Sequence, residues 1–118
     1  IYGTLNLIFS GLLDKDLAVA LCKAYNSYIA DDCRPYSDRL KPIGVLPVQD
    51  VSEAIKEMHR CVNELGLIGV AVPPNVPVPH PRVPDAFPDA RTCKAISHPD
   101  FRPILQAAVD LDVSLGIH

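Results

Sequence analysis

A chain of 118 residues of which 48% are hydrophobic is of single-domain size and apolar enough to bury a core, which excludes an intrinsically disordered segment. Its formal charge of -3 and pI near 5.7, with eleven Lys and Arg scattered along the chain, exclude a nucleic-acid surface, because phosphate binding needs clustered cations. No apolar run approaches the ~20 residues of a membrane span and no charged segment followed by an apolar one opens the chain. The expectation is a soluble, cytoplasmic protein with no membrane partner, and the missing initiator Met leaves room for a preceding segment.

Residues 2–9 are apolar and β-branched or aromatic enough for a strand, broken by Ser10-Gly11. Asp14 is placed to cap a helix through its carboxylate. Leu17, Leu21, Ala24, Tyr25, Tyr28 and Ile29 recur at spacings of three and four and predict one buried stripe over about four turns. That helix should end near Cys33, before Pro35.

The next unit repeats this grammar. Residues 40–48 contain Ile43-Gly44-Val45-Leu46, apolar without alternation, as in a strand covered on both faces, with Pro42 and Pro47 at its margins. Asp50 with Glu53 three residues on forms a start resembling a capping box, and Val51, Ala54, Ile55, Met58, Val62 and Leu65 supply a buried helical face. Gly66 supplies the stop, and residues 67–72 supply another strand.

The rhythm then fails. Residues 73–96 carry seven prolines, at 73, 74, 77, 79, 81, 84 and 88, with no hydrophobic period, so an irregular insert is expected at about 76–96, anchored only by Val83, Phe87 and Ile96. Helical spacing resumes at Phe101, Ile104, Leu105, Ala108 and Leu111, with Ser97 or Asp100 as the cap. The short apolar run Val113-Ser114-Leu115-Gly116-Ile117 reads as a buried parallel strand and stops on His118. An imidazole at the carboxyl end of such a strand sits where α/β enzymes keep their chemistry.

Strand and helix therefore alternate through four strands and three helices, which predicts a parallel sheet with right-handed crossovers. No G-x-G-x-x-G and no G-K-[ST] follows any strand, which puts a piece of a (β/α)8 barrel ahead of an open nucleotide-binding sheet. Cys22, Cys33, Cys61 and Cys93 show no C-x-x-C spacing; the first three fall in predicted helices and read as small buried hydrophobes in a reducing setting. His59 reads as part of a solvated helix face, His80 and His98 as residues of the insert and its edge, Asp31 and Asp32 as a helix end, and Asp50 and Asp100 as caps. Two turns after strands, residues 47–49 and 73–75, are candidates for substrate contact. Asn75 offers a donor and an acceptor or else bonds its own backbone, and Gln49 reads as a turn residue.

Four stretches carry a resemblance: Ala24-Tyr25-Asn26, the run from Asp38 to Pro47, Gly69-Val70-Ala71-Val72-Pro73-Pro74-Asn75, and Asp112-Val113-Ser114-Leu115-Gly116-Ile117-His118. In order and spacing the chain resembles the amidohydrolase-related metal-dependent enzymes, and within them the group of aminocarboxymuconate-semialdehyde decarboxylase and the resorcylate decarboxylases. The resemblance covers nearly the whole chain except the Pro-rich insert, which members cross more directly. It implies that residues 1–118 are part of one (β/α)8 TIM-barrel domain, holding about strands 2 to 5. It also implies a divalent metal, zinc first and manganese second, held by an H-x-H pair, a His after the fifth strand and an Asp after the eighth, with a small-molecule substrate and self-association into a homo-oligomer as an open alternative. His118 matches the fifth-strand ligand; no H-x-H occurs, so the metal site of this chain is incomplete. The implied activity is that of a decarboxylase or hydrolase of a small carboxylated or cyclic compound. The competing reading is an inactive truncated relative serving as a structural or interaction module.

Overall fold

The computed structural model describes residues 1, 9, 11–82 and 90–118, so the strand expected over residues 2–9 lies, apart from Phe9, outside the described residues, as do the anchors Val83 and Phe87. In chain order the elements are α1 (Lys15–Cys33), a 3-10 turn (Arg34–Tyr36), β1 (Gly44–Val45), α2 (Val51–Asn63), β2 (Gly69–Val72), β3 (Asn75–Pro79), β4 (Arg91–Ala95), a 3-10 turn (Pro99–Phe101), α3 (Arg102–Asp110) and β5 (Ser114–Ile117). β1, β2 and β5 form a parallel sheet in that spatial order, with Val45 beside Ala71 and Val72 beside Ile117. α1 packs on α2 and α2 on α3, while α1 touches β1, α2 touches β2 and α3 touches β5, so the helices make one layer against the sheet.

Local chemistry sets the helix ends. Asp14 accepts from the Leu17 amide at 3.0 Å and Asp50 from the Glu53 amide at 3.0 Å, each satisfying a donor that the first turn leaves free. Gly66 closes the α2 exit at φ +67, a left-handed conformation that glycine adopts without steric cost, and lets the Leu67 amide reach back to the Cys61 carbonyl. The last helix is capped by neither Ser97 nor Asp100: the imidazole Nδ1 of His98 accepts from the Asp100 amide, because the 3-10 turn begins one residue later than the capping pattern of Ser97 requires.

Three further expectations are corrected. First, the buried stripe of α1 is Ala18, Cys22, Asn26, Ile29, Ala30 and Cys33, whereas Leu17 and Tyr28 are 47% and 63% exposed. The helix is rotated so that its small residues meet the sheet, which lets the short Asn26 side chain reach β1. Second, residues 73–96 are not irregular throughout: β3 and β4 pair antiparallel from Asn75 opposite Ala95 to Pro79 opposite Arg91. The prolines permit this because of their register. The His80 amide donates to the Ala90 carbonyl and the Ile96 amide to the Pro74 carbonyl, so even-numbered residues of β3 face the partner strand. Pro77 and Pro79 are odd, and they delete amides only from the outer edge, where no ladder bond is lost and foreign strands are discouraged. Third, β5 is not buried on both faces. Ser114 and Ile117 are exposed and Leu115 and Gly116 half-buried, because β5 is the edge of the described sheet.

The core lies between the helix layer and the sheet and continues under the hairpin: Met58, Cys61, Val70, Val72 and Ile104 join Val76, Ile96 and Phe101 in one cluster. Burying aliphatic side chains of this size stabilises by roughly 1.5–3 kcal/mol each before conformational entropy is counted. Gly44 is where backbone and helices come closest. A Cβ there would stand 2.9 Å from Cys61 Sγ, 3.1 Å from Leu67 Cδ1 and 3.3 Å from Asn26 Oδ1. Gly44→Ala should therefore destabilise by about 1–3 kcal/mol, and Cys61→Ala should absorb part of that loss. A double-mutant cycle by urea denaturation checks this, and additive losses would show that the two positions do not meet.

Candidate active face and its supporting cluster

The parallel strands point their carboxyl ends the same way, and three segments leave the sheet there: residues 46–49 after β1, residues 73–75 after β2, and His118 after β5. His118 is exposed, and its backbone amide donates to the Val72 carbonyl at 3.1 Å, which continues the β2–β5 ladder by one bond and holds the residue beside the turn that leads to Asn75. Asn75 is exposed at the start of β3, opposite Ala95. Its side chain makes no hydrogen bond among the described residues, so the alternative in which it bonds its own backbone is absent from the structure.

Gln49 has a visible structural task. Its Nε2 donates to the Phe9 carbonyl at 2.5 Å and to the Leu12 carbonyl at 3.0 Å, strapping the approach to α1 onto the end of β1. Its Oε1 is buried and accepts nothing among the described residues. His59 is exposed on α2, as its place on the helix predicts; His80 accepts the Arg82 amide through Nδ1 near the hairpin turn.

Behind the face lies a polar cluster that the periodicity of the chain did not announce. Asn26 and Glu57 are both fully buried. The Asn26 amide grips both backbone groups of Val45, Oδ1 accepting from its N–H at 2.8 Å and Nδ2 donating to its carbonyl at 2.9 Å. These are the bonds that a neighbouring strand makes, and here a helix side chain makes them on the side of β1 away from β2. Asn26 Nδ2 also donates to Glu57 Oε1 at 2.7 Å. Arg60, one turn further along α2, closes on the same carboxylate with two bonds, Nε to Oε2 at 2.9 Å and Nη2 to Oε1 at 2.7 Å. The guanidinium then reaches back to α1, to Ser27 Oγ and the Lys23 carbonyl, each at 3.0 Å. Opposite charges in a bidentate fork offset the desolvation of Glu57, which alone at this depth would cost several kcal/mol.

The cluster shapes its surroundings electrostatically. Its hydrogen bonds to Glu57 push the Arg60 guanidinium above its ordinary range. Burial, reinforced by the Glu57 charge, pushes the Cys22 thiol up to about 12 and moves Cys61 upward as well. A thiol that ionises at a higher pH when folded stabilises fully below its ordinary value of 9.0, and that stabilisation is lost as pH climbs toward 12.

No group of three or more His, Cys, Asp or Glu side chains able to hold a metal ion exists among the described residues. Among the described residues, the donor at this face is His118, an exposed residue at a strand end. It fits the role of one ligand and does not by itself make a catalytic site, which needs about three.

A parallel α/β layer with an imidazole at the carboxyl end of an edge strand belongs to the class of proteins that work from the carboxyl ends of their strands. The family follows from comparison: the amidohydrolase profile matches residues 5–118, and the chain belongs to that family. Gamma-resorcylate decarboxylase of Rhizobium radiobacter is 29% identical over 108 residues, covering 89% of this chain and 29% of that protein. A 2-keto-4-carboxy-3-hexenedioate hydratase of Sphingobium sp. is 30% identical over 111 residues, covering 89% of this chain and 29% of that one. Among solved structures, 2,6-dihydroxybenzoate decarboxylase from Rhizobium superimposes with a TM-score of 0.80 at 27% identity over 93% of this chain and 31% of that chain. The 5-carboxyvanillate decarboxylase of Novosphingobium aromaticivorans, complexed with manganese, gives 0.73 at 29% identity over 93% and 27%. The chain thus spans under a third of the length of these relatives.

Two outcomes are expected of the cluster. Asn26→Ala leaves the Val45 N–H and carbonyl buried without partners and should cost about 3 kcal/mol or more, with loss of hydrogen-exchange protection at Val45; unchanged protection would mean that β1 does not depend on the amide. At pH 8 the exposed Cys93 should react with a thiol reagent well before Cys22 and Cys61 do, and all four cysteines should react in urea. Simultaneous labelling of Cys22 in the folded protein would contradict the burial of that thiol.

Proposed function

We propose that this chain is part of a metal-dependent carboxy-lyase of the amidohydrolase family, acting on a small, ring-bearing or unsaturated carboxylate. Residues 1–118 would form an arc of a (β/α)8 barrel, with the sequential order β1, β2, β5 and the single helix layer as the features that support it. The observation that carries the reading is the position of His118, fastened to Val72 at the carboxyl end of the sheet. His118 would supply one imidazole nitrogen to a divalent cation whose other ligands lie outside this chain. The manganese in the 5-carboxyvanillate decarboxylase complex supports Mn; nothing comparable supports Zn.

When bound, such a cation orients a carboxylated substrate and stabilises the negative charge that develops on it. The chain's own contribution is positional. The Val72 bond sets where the His118 backbone sits, at the end of the strand. Asn75, leaving the adjacent strand, can donate to a substrate carboxylate through Nδ2 and accept from a hydroxyl through Oδ1. A second reading, addition of water to a double bond in place of carbon–carbon cleavage, is supported by the hydratase relative.

The test uses the full-length protein that contains this chain. His118→Ala should remove the metal and abolish release of carbon dioxide from 2,6-dihydroxybenzoate while leaving the circular-dichroism spectrum unchanged. Full metal occupancy in that variant would take His118 out of the ligand set. The 118-residue chain alone should bind no stoichiometric Mn or Zn, and tight one-to-one binding would show a complete ligand set within it.

A further inference from the structure

A cleft of about 120 Å³ opens at the amino end of the parallel sheet, the end opposite His118. Three segments wall it: the last turn of α1 with Cys33 and Arg34, the approach to β1 with Leu40, Lys41 and Pro42, and the α2 exit around Gly66. Cys33 and Pro42 are buried and form its floor, and Leu40, 37% exposed, forms one wall. A cavity of ~150 Å³ holds benzene, so this cleft, open at its mouth, takes a group of about the size of one ring. The polar groups at the mouth are mainly donors. Lys41 Nζ donates to the Ser37 carbonyl at 2.6 Å, which uses one of its three hydrogens and sets its charge against no carboxylate. Arg34 differs, because its Nη2 is on Asp31 Oδ1 at 2.6 Å and the pair is neutral; Asp38 is likewise taken, by Arg39 at 3.5 Å. Residues 2–8 and 10 contain no Asp or Glu, and Asp85 and Asp89 belong to the segment that joins β3 to β4 beyond the carboxyl end of β2. α1 turns its negative pole toward the cleft, but that is about half an elementary charge against the full charge of Lys41.

We infer that this cleft is a ligand site in its own right for a small apolar carboxylate, the apolar body against Cys33, Leu40 and Pro42 and the carboxylate on Lys41 Nζ and the Ser37 hydroxyl. Apolar walls contribute affinity for the body, while an ammonium bonded to one carbonyl gains a charge-assisted bond from an anionic acceptor. The site stands at the other end of the sheet from His118, so its ligand is an effector and not a substrate, and the inference does not rest on the carboxy-lyase reading. Its occupant bridges the end of α1, the entry to β1 and the exit of α2. Those are the elements that Asn26, Glu57 and Arg60 tie together, so a bound acid stabilises the same joint by mass action.

Titration of the 118-residue chain with benzoate, benzyl alcohol and acetate, followed by backbone amide chemical shifts, tests it. Benzoate should saturate at one per chain and move the amides of Ser37, Lys41 and Gly66. Benzyl alcohol should move the same amides with about tenfold weaker affinity, the loss expected for a charge-assisted contact, and acetate should move none of them. Lys41 is exposed, so its replacement leaves the fold in place: Lys41→Ala should bring benzoate down to the affinity of the alcohol, and Lys41→Arg should keep most of the difference. Leu40→Trp should fill the cleft and abolish binding of both ring compounds. Equal affinity for benzoate and benzyl alcohol, saturable binding of acetate, or benzoate binding undiminished in Lys41→Ala or in a folded Leu40→Trp variant would each overturn the inference. Shifts confined to Asn75 and His118 would place the acid at the carboxyl end of the sheet and overturn it as well.

Discussion

The grip of Asn26 on Val45 is the interaction on which the rest of the described structure depends. β1 is only two residues long, and such a strand has too few ladder bonds to define its own register. β2 holds it on one side. On the other, the Asn26 amide supplies the donor and acceptor that a neighbouring strand would, and Glu57 turns that amide by taking the remaining hydrogen of Nδ2. Glu57 is in turn held by Arg60, and Arg60 by the backbone and Ser27 of the helix that carries Asn26. The loop of bonds closes on itself through α1, α2 and β1, so none of the three can slide without breaking bonds in the other two.

This closure has requirements that explain neighbouring residues. A helix side chain as short as Asn reaches a strand only if the helix comes close, which small residues permit: Ala18, Cys22 and Ala30 on the buried face of α1, and Gly44 with no Cβ on the strand below. The cost is a charge in the core, offset by a partner in bidentate geometry and by dipoles aimed at it. Because β1 ends in residues 46–49 and Gln49 straps the approach to α1, the cluster also decides where one wall of the carboxyl face stands. A buried polar network thus positions the carboxyl end of the sheet from behind.

Much of this was legible in the residues, and the failures have physical causes. The caps Asp14 and Asp50, the stop at Gly66 and the α2 helix follow from local chemistry, and local chemistry is what a short window of sequence contains. The α1 stripe departs from its periodicity because the helix rotates to serve Asn26, which turns the large apolar Leu17 and Tyr28 outward. The sign that could have corrected it is Asn26 itself, four residues after Cys22 and four before Ala30 on an otherwise apolar arc, with Glu57 in the same situation between Ala54 and Cys61. The hairpin is hidden from the sequence because proline is a breaker unless its missing amide faces the outer edge, and that edge is set only by the pairing of β3 with β4. His118 and Asn75 were placed at strand ends from the alternation of elements.

The proposed carboxy-lyase reading puts the chemistry at the carboxyl ends of the strands, with His118 as the donor this chain would bring there. The most direct measurement is the structure of the full-length protein loaded with Mn(II). The account predicts a His118 imidazole nitrogen about 2.1 Å from the metal, a first-row metal–nitrogen distance, with the residue's backbone amide still bonded to the Val72 carbonyl. A metal held entirely by other residues, with the His118 ring turned away, would contradict it.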